Sequence, residues 1–127
     1  VLAAETMVRA VKQLYCGRKL GFILSLNSDK DMRGFCGALA EAGDQLIATR
    51  RSVVYKRQAP PESVAEALRS TGKPVTVTQS VKEAIALSRK MWSNDFVICI
   101  TGSLYLVGEA LEVLQGLEPE ETMSRKT

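Results

Sequence analysis

Two short polar clusters carry the groups that could hold a ligand: Asp29-Lys30-Asp31 and Thr101-Gly102-Ser103. A lysine ammonium, a serine hydroxyl and backbone N–H groups at a helix start, brought together, supply what a carboxylate requires, namely charge-assisted donors in fixed positions. The second cluster closes the apolar run Asp95 to Thr101, and a helical pattern begins directly after it. A strand that stops at a small-residue turn and restarts as a helix aims its amides at the C-terminal edge of a sheet, where open α/β sheets bind ligands. A third polar segment, Thr49-Arg50-Arg51, opens a basic stretch that runs to Arg57. The chain has no histidine, which removes Ser–His and Cys–His nucleophile pairs and histidine zinc ligands. Cys16, Cys36 and Cys99 are far apart and not at metal-ligand spacing, so they read as free thiols of a reducing, cytoplasmic-type compartment.

The elements that position these clusters follow from switches of hydrophobic period. Met7, Val11 and Leu14 share one face of a helix over Ala4–Tyr15, and Gly17 stops it. Leu20–Leu26 is apolar without alternation, as in a strand covered on both faces. Asp31–Ala42 is helical, with Asn27-Ser28-Asp29 supplying turn and cap chemistry. Gln45–Thr49 is a strand, followed by a polar connection to Pro61. A helix spans Glu62–Ser70, with prolines at its first turn. Pro74–Thr78 is β-branched and strand-like. Ser80 and Glu83 form a capping box for a helix reaching Trp92. Asp95–Thr101 is the last strand, and Leu104, Val107, Leu111 and Leu114 carry the last helix. Strands alternating with helices, without hairpin signals, predict a three-layer, Rossmann-like α/β fold with a mainly parallel sheet flanked by helices. One domain over residues 1–115 and a flexible tail over 116–127 are expected for this length of 127 residues.

Composition narrows the function classes. Hydrophobic residues make up 46% and charged residues 24%, ordinary values for a globular protein. The net charge of +3 does not by itself argue for nucleic acid or a membrane surface, and no apolar run approaches the roughly 20 residues that span a bilayer. Gly-x-Gly-x-x-Gly is absent. Ser70-Thr71-Gly72-Lys73-Pro74 is not a Walker loop: Ala67 replaces the first glycine, Pro74 replaces the Ser/Thr, and helix precedes strand.

Each candidate also has a purely structural reading. Ser103 can cap its helix, worth on the order of 1 kcal/mol, and a cap is compatible with a ligand contact. Lys30 is electrostatically misplaced in a helix's first turn, which favours a functional reason for it. Asp29 reads as an N-cap and Asp31 as a first-turn acid, while Tyr105 and Trp92 read as core or rim. Residues 50–57 read as a solvated loop; an anion-binding patch with Arg50 and Arg57 as contacts is the second reading.

Asp29-Lys30-Asp31 after the first strand and Thr101-Gly102-Ser103-Leu104-Tyr105-Leu106-Val107-Gly108-Glu109 after the last resemble folylpolyglutamate synthase / dihydrofolate synthase, in the C-terminal glutamate-ligase domain shared with the Mur ligases. Ala59-Pro60 before a helix and Ser80 to Leu87 before the last strand fit the same pattern, and the resemblance covers residues 3 to 115. It implies ATP- and Mg-dependent ligation: a substrate carboxylate becomes an acyl phosphate, and the amino group of glutamate attacks it to form an amide. It also implies that Lys30 pairs with a glutamate carboxylate, that Ser103 hydrogen-bonds it, and that the Ser103 and Leu104 amides assist. Asp29, Asp31, Gly102 and Tyr105 would support the site.

The resemblance carries expectations about the rest of the enzyme. The partners are glutamate, a folate substrate and an N-terminal ATPase domain that carries the phosphate loop. The Asp-Gly-Ala-His-Asn motif of the family and the strand leading into it are missing, so the chain is expected to be a fragment cut after that motif. Such a fragment is expected to carry no catalytic residue, to hold no cofactor and to be inactive alone. The alternative is a stand-alone Rossmann-like module that contacts an anionic partner through residues 50–57.

Overall fold

The computed structural model describes residues 2–28, 31–52, 58–92, 94–102 and 104–116, with the side chains of 2–4, 104 and 105 left aside. Nine elements alternate along it: α1 (Leu2–Leu14), β1 (Lys19–Leu24), α2 (Met32–Ala42), β2 (Gln45–Ala48), α3 (Pro61–Arg69), β3 (Val75–Val77), α4 (Val81–Met91), β4 (Phe96–Thr101) and α5 (Leu104–Leu114). The four strands form one sheet in the order β3-β2-β1-β4, and every neighbouring pair is parallel. This is the α/β architecture the sequence predicts.

Alternation along the strands builds two cores. Leu20, Phe22 and Leu24 of β1, with Leu46 and Ala48 of β2, face α2 and α3, and α1 packs beside α2 with Met7, Val8 and Val11 on the same core. Ile23 and Ile47 point the other way, onto Val81, Ala84 and Ile85 of α4 and Leu106 and Ala110 of α5. Helices therefore cover both faces, which is why β1 reads as a continuous apolar run. Burial of each such large apolar side chain contributes about 1.5–3 kcal/mol. Trp92 lies against Gly21 of β1, where an added Cβ would overlap its ring, and its Nε1 donates to Gln45 Oε1 at 3.0 Å.

Several boundaries differ from the sequence expectation for local reasons. The apolar run after β1 outlasts the strand: Ser25 and Leu26 are fully buried, but Leu26 O accepts from Ala59 N in the returning connection, outside the sheet ladder. Helix α2 begins one residue later than expected, because Asp31 is its N-cap, not a first-turn acid; Asp31 Oδ1 accepts from Gly34 N at 3.2 Å. At α4, Ser80 Oγ accepts from Glu83 N at 3.1 Å as the capping box requires, whereas Glu83 Oε1 reaches one residue further back, to Gln79 N. The N-cap proposed at Asp29 and the tail from 117 onward lie outside the described residues.

Candidate functional site

The sheet order makes one place special. Chain progression runs outward from β1 through β2 to β3, then returns to the opposite side of β1 as β4. The connections leaving β1 and β4 consequently diverge to opposite faces, and an open sheet forms its ligand crevice at such a switch point. Here β1 and β4 are in register to their last residues, with Leu24 opposite Thr101. The segments carrying the two polar clusters leave the sheet side by side.

Gly102 fixes how closely those segments meet. Its φ of 108° is a conformation that L side chains rarely adopt, and a Cβ there would collide with the Ser25 carbonyl oxygen. The Gly102 backbone thus lies directly against the exit of β1. Of the expected site residues, Asp31 caps α2 and Gly102 lines the switch point. Lys30, Ser103, Asp29 and Arg57, and the side chains of Leu104 and Tyr105, lie outside the described residues.

The basic stretch is not a uniformly solvated loop. Arg51 is 1% exposed and packs at the exit of β1, donating from Nη2 to Asn27 Oδ1 at 2.7 Å and from Nη1 to Ser25 Oγ at 3.5 Å. Gln58 clamps the Arg51 backbone from both sides: Arg51 N donates to Gln58 Oε1 at 2.7 Å, and Gln58 Nε2 donates to Arg51 O at 3.4 Å. An antiparallel bridge joins Asn27 to Gln58. Glu109, 3% exposed on α5, accepts from Ser52 N at 2.7 Å and from Ser52 Oγ at 2.8 Å. These contacts join the exits of β1 and β2 and the inner face of α5.

Arg50 reaches to the residues that start α3 and precede α4. Its Nε donates to Gln79 Oε1 at 3.2 Å, and it lies 3.9 Å from Glu62 at the start of α3. Glu62 titrates below the usual carboxylate range, chiefly through its own backbone amide and then through Gln79, with the Arg50 charge adding to both. Deeper along the same edge, Thr78 Oγ1 donates to Thr49 Oγ1 at 2.7 Å, and Thr49 Oγ1 donates to Ser80 O at 2.9 Å, fixing the exits of β2 and β3.

Charge patterning could not single out Arg51 within a basic run. The face that α5 buries carries Leu106, Ala110 and Val113 with Glu109 among them, not the expected stripe of Leu104, Val107, Leu111 and Leu114, since Leu111 and Leu114 are 54% and 48% exposed. An acid on such a buried face requires a partner.

The thiols take no part in this geometry. Burial pushes Cys36 up to about 11 and raises Cys99, whereas Cys16 is exposed. The thiolate is the reactive form, so a disulfide reagent at pH 8 is expected to titrate Cys16 in the native chain and all three cysteines only after denaturation. Rapid native reaction at Cys36 would contradict its burial. Among the described residues, no three His, Cys, Asp or Glu side chains cluster as metal ligands, and no helix is long and apolar enough to cross a membrane.

A parallel three-layer α/β domain with a topological switch point between β1 and β4 belongs to a ligand-binding class of fold. The model of one family, the Mur ligase glutamate ligase domain, matches residues 1–104. The chain belongs to that family, as the resemblance carried by Asp29–Asp31 and Thr101–Glu109 implies.

Solved structures agree. Folylpolyglutamate synthase from Thermotoga maritima superposes with a TM-score of 0.76 at 26% identity, over 93% of this chain and 26% of that one. E. coli FolC in complex with DHPP and ADP gives 0.78 at 22% identity, over 90% and 26%. The bifunctional folylpolyglutamate synthase/dihydrofolate synthase of Yersinia pestis, complexed with AMPPNP and Mn ion, gives 0.76 at 22% identity, over 89% and 26%. The chain thus spans about a quarter of the length of these structures. No curated protein sequence matches it.

Proposed function

We propose that this chain is the C-terminal, amino-acid-binding domain of an ATP-dependent ligase that adds glutamate to folate or dihydropteroate. Membership of the glutamate ligase domain family supports this reading. The single observation that carries the site is the in-register exit of β1 and β4, with Gly102 packed on Ser25. Lys30 follows the first of these exits in sequence and Ser103 the second, so an ammonium and a hydroxyl belong to adjacent connections at one sheet edge. In this role Lys30 pairs with a carboxylate of glutamate, Ser103 hydrogen-bonds it, and the Ser103 and Leu104 amides add donors at the start of α5. Asp29, Asp31, Gly102 and Tyr105 support them.

The nucleotide and its Mg ion belong in this reading to an N-terminal ATPase domain of the same chain. The related structures carry ADP, AMPPNP and Mn ion, whereas Ser70–Pro74 here runs helix to strand, the wrong order for a phosphate loop. When bound, ATP supplies the phosphoryl group that activates the folate carboxylate. The present chain's part is to hold glutamate so that its amino group faces that acyl phosphate. The enzyme is proposed to be cytoplasmic.

A module contacting an anionic partner through residues 50–57 is not favoured. The family match spans that stretch, and Arg50 and Arg51 are engaged within the chain.

In the full-length enzyme with ATP, Mg²⁺ and dihydropteroate or tetrahydrofolate, phosphate release is expected to depend on glutamate. Release indifferent to glutamate would end this reading. Lys30→Ala is expected to raise the KM for glutamate by about tenfold or more, the loss of one charge-assisted hydrogen bond. The KM for ATP should not move. An unchanged glutamate KM removes Lys30 from the site.

A further inference from the structure

Arg51 is buried and Asn27 half-buried at the sheet edge where β1 ends. A guanidinium buried to 1% exposure is a costly group to keep, so its contacts should matter to the segment they hold. Its guanidinium donates to Ser25 and Asn27, the residues by which the chain leaves β1, Asn27 lying three positions ahead of Lys30 in sequence. The Asn27–Gln58 bridge and the Ala59 N to Leu26 O bond of 2.8 Å hold the same exit from the returning connection. Glu109 ties Ser52, one residue from Arg51, to the helix that follows Ser103. The turn after β1 and the helix after β4 are thus linked through Arg51-Ser52 as well as through Gly102.

We infer that Arg51, acting through Asn27, is a positioning residue for glutamate: its guanidinium fixes the Ser25–Asn27 exit of β1 beside Gly102, at the edge proposed to bind the amino acid. The inference rests on the reading of this edge as the glutamate site. Arg51 itself touches no substrate in this account. Its planar fork spans two acceptors at once, which a lysine ammonium cannot do in the same geometry.

The two roles Arg51 could have separate in the kinetics. A residue needed only for folding lowers the amount of active enzyme, so kcat falls and KM stays. A residue that sets glutamate's binding geometry raises the glutamate KM, while saturation with glutamate restores turnover. In the full-length enzyme, Arg51→Met is expected to raise the glutamate KM by about tenfold or more, as hydrogen bonds to a charged group are worth. The KM for ATP should stay within about twofold, and Arg51→Lys should fall between Arg51→Met and the parent. Asn27→Leu should raise the glutamate KM in the same direction as Arg51→Met, and the double variant should fall short of the sum of the two shifts, because the two residues share one contact.

A fall in kcat at constant glutamate KM, or fully additive shifts in the double variant, overturns the inference. If Arg51→Met does not fold, Asn27→Leu and Arg51→Lys decide by the same criteria. Lys30→Ala is measured alongside. Unshifted Arg51 variants beside a shifted Lys30→Ala sink the positioning role alone, whereas glutamate-independent phosphate release sinks the site reading and this inference together.

Discussion

Gly102→Ala is expected to unfold at a markedly lower urea concentration than the parent chain. Two costs combine at this position. The backbone φ of 108° is one that an L residue adopts only under strain, about 1–3 kcal/mol. The new methyl would also meet the Ser25 carbonyl oxygen, with Leu26 Cδ2 3.2 Å away, and overpacking of this kind costs about 1–3 kcal/mol. The obstacle is backbone belonging to a central strand's exit, not the free end of a flexible side chain, so it cannot swing aside. Against a total domain stability of about 5–15 kcal/mol, the loss is large. Relief requires β4's exit to move away from β1, which would open the switch point. Chemical denaturation followed by circular dichroism measures the midpoint. A midpoint equal to the parent's would mean that the close approach of Gly102 to Ser25 is not a feature of the molecule in solution.

Much of this arrangement was legible from residue order alone. Switches between periods of two and 3.6 located all nine elements, and the lack of hairpin signals fixed a parallel sheet, since parallel strands require crossovers. Adjacent exits for β1 and β4 follow once the strand order is known, but strand order is a long-range property that no local pattern encodes. The same limit hid Arg51. Its partners include Ser25, Asn27 and Gln58, and the first two are separated from it by 26 and 24 positions. A reading based on charge runs sees four basic residues between 50 and 57 and assigns them to solvent. Local chemistry erred by small steps: Asp31 is the cap of α2 and not an acid of its first turn, and Glu83 satisfies Gln79 N instead of the cap residue's own amide. In each case the element was correct and the boundary or partner was one residue away.

Trp92 and Gly21 offer a test of the opposite core in which the sign of an effect should reverse. Trp92 is 5% exposed, stacks on Phe96 with ring centroids 5.6 Å apart, and lies across β1 at Gly21. Trp92→Ala is expected to cost about 3–5 kcal/mol, the range for emptying a buried aromatic site. It also strands Gln45 Oε1, which accepts from the indole Nε1. Gly21→Ala in the parent should be destabilising by about 1–3 kcal/mol, because three ring carbons occupy the space of the new methyl. With Trp92 already alanine, that space is vacant. The methyl then fills part of a cavity, and a glycine in a strand interior costs about 0.5–1 kcal/mol relative to alanine. Gly21→Ala should therefore stabilise the Trp92→Ala chain while destabilising the parent, the non-additivity expected of two groups in direct contact. Equal shifts in both backgrounds, measured by urea denaturation, would mean that the indole does not rest on β1, and the packing of α4's C-terminal end against the sheet would have to be redrawn.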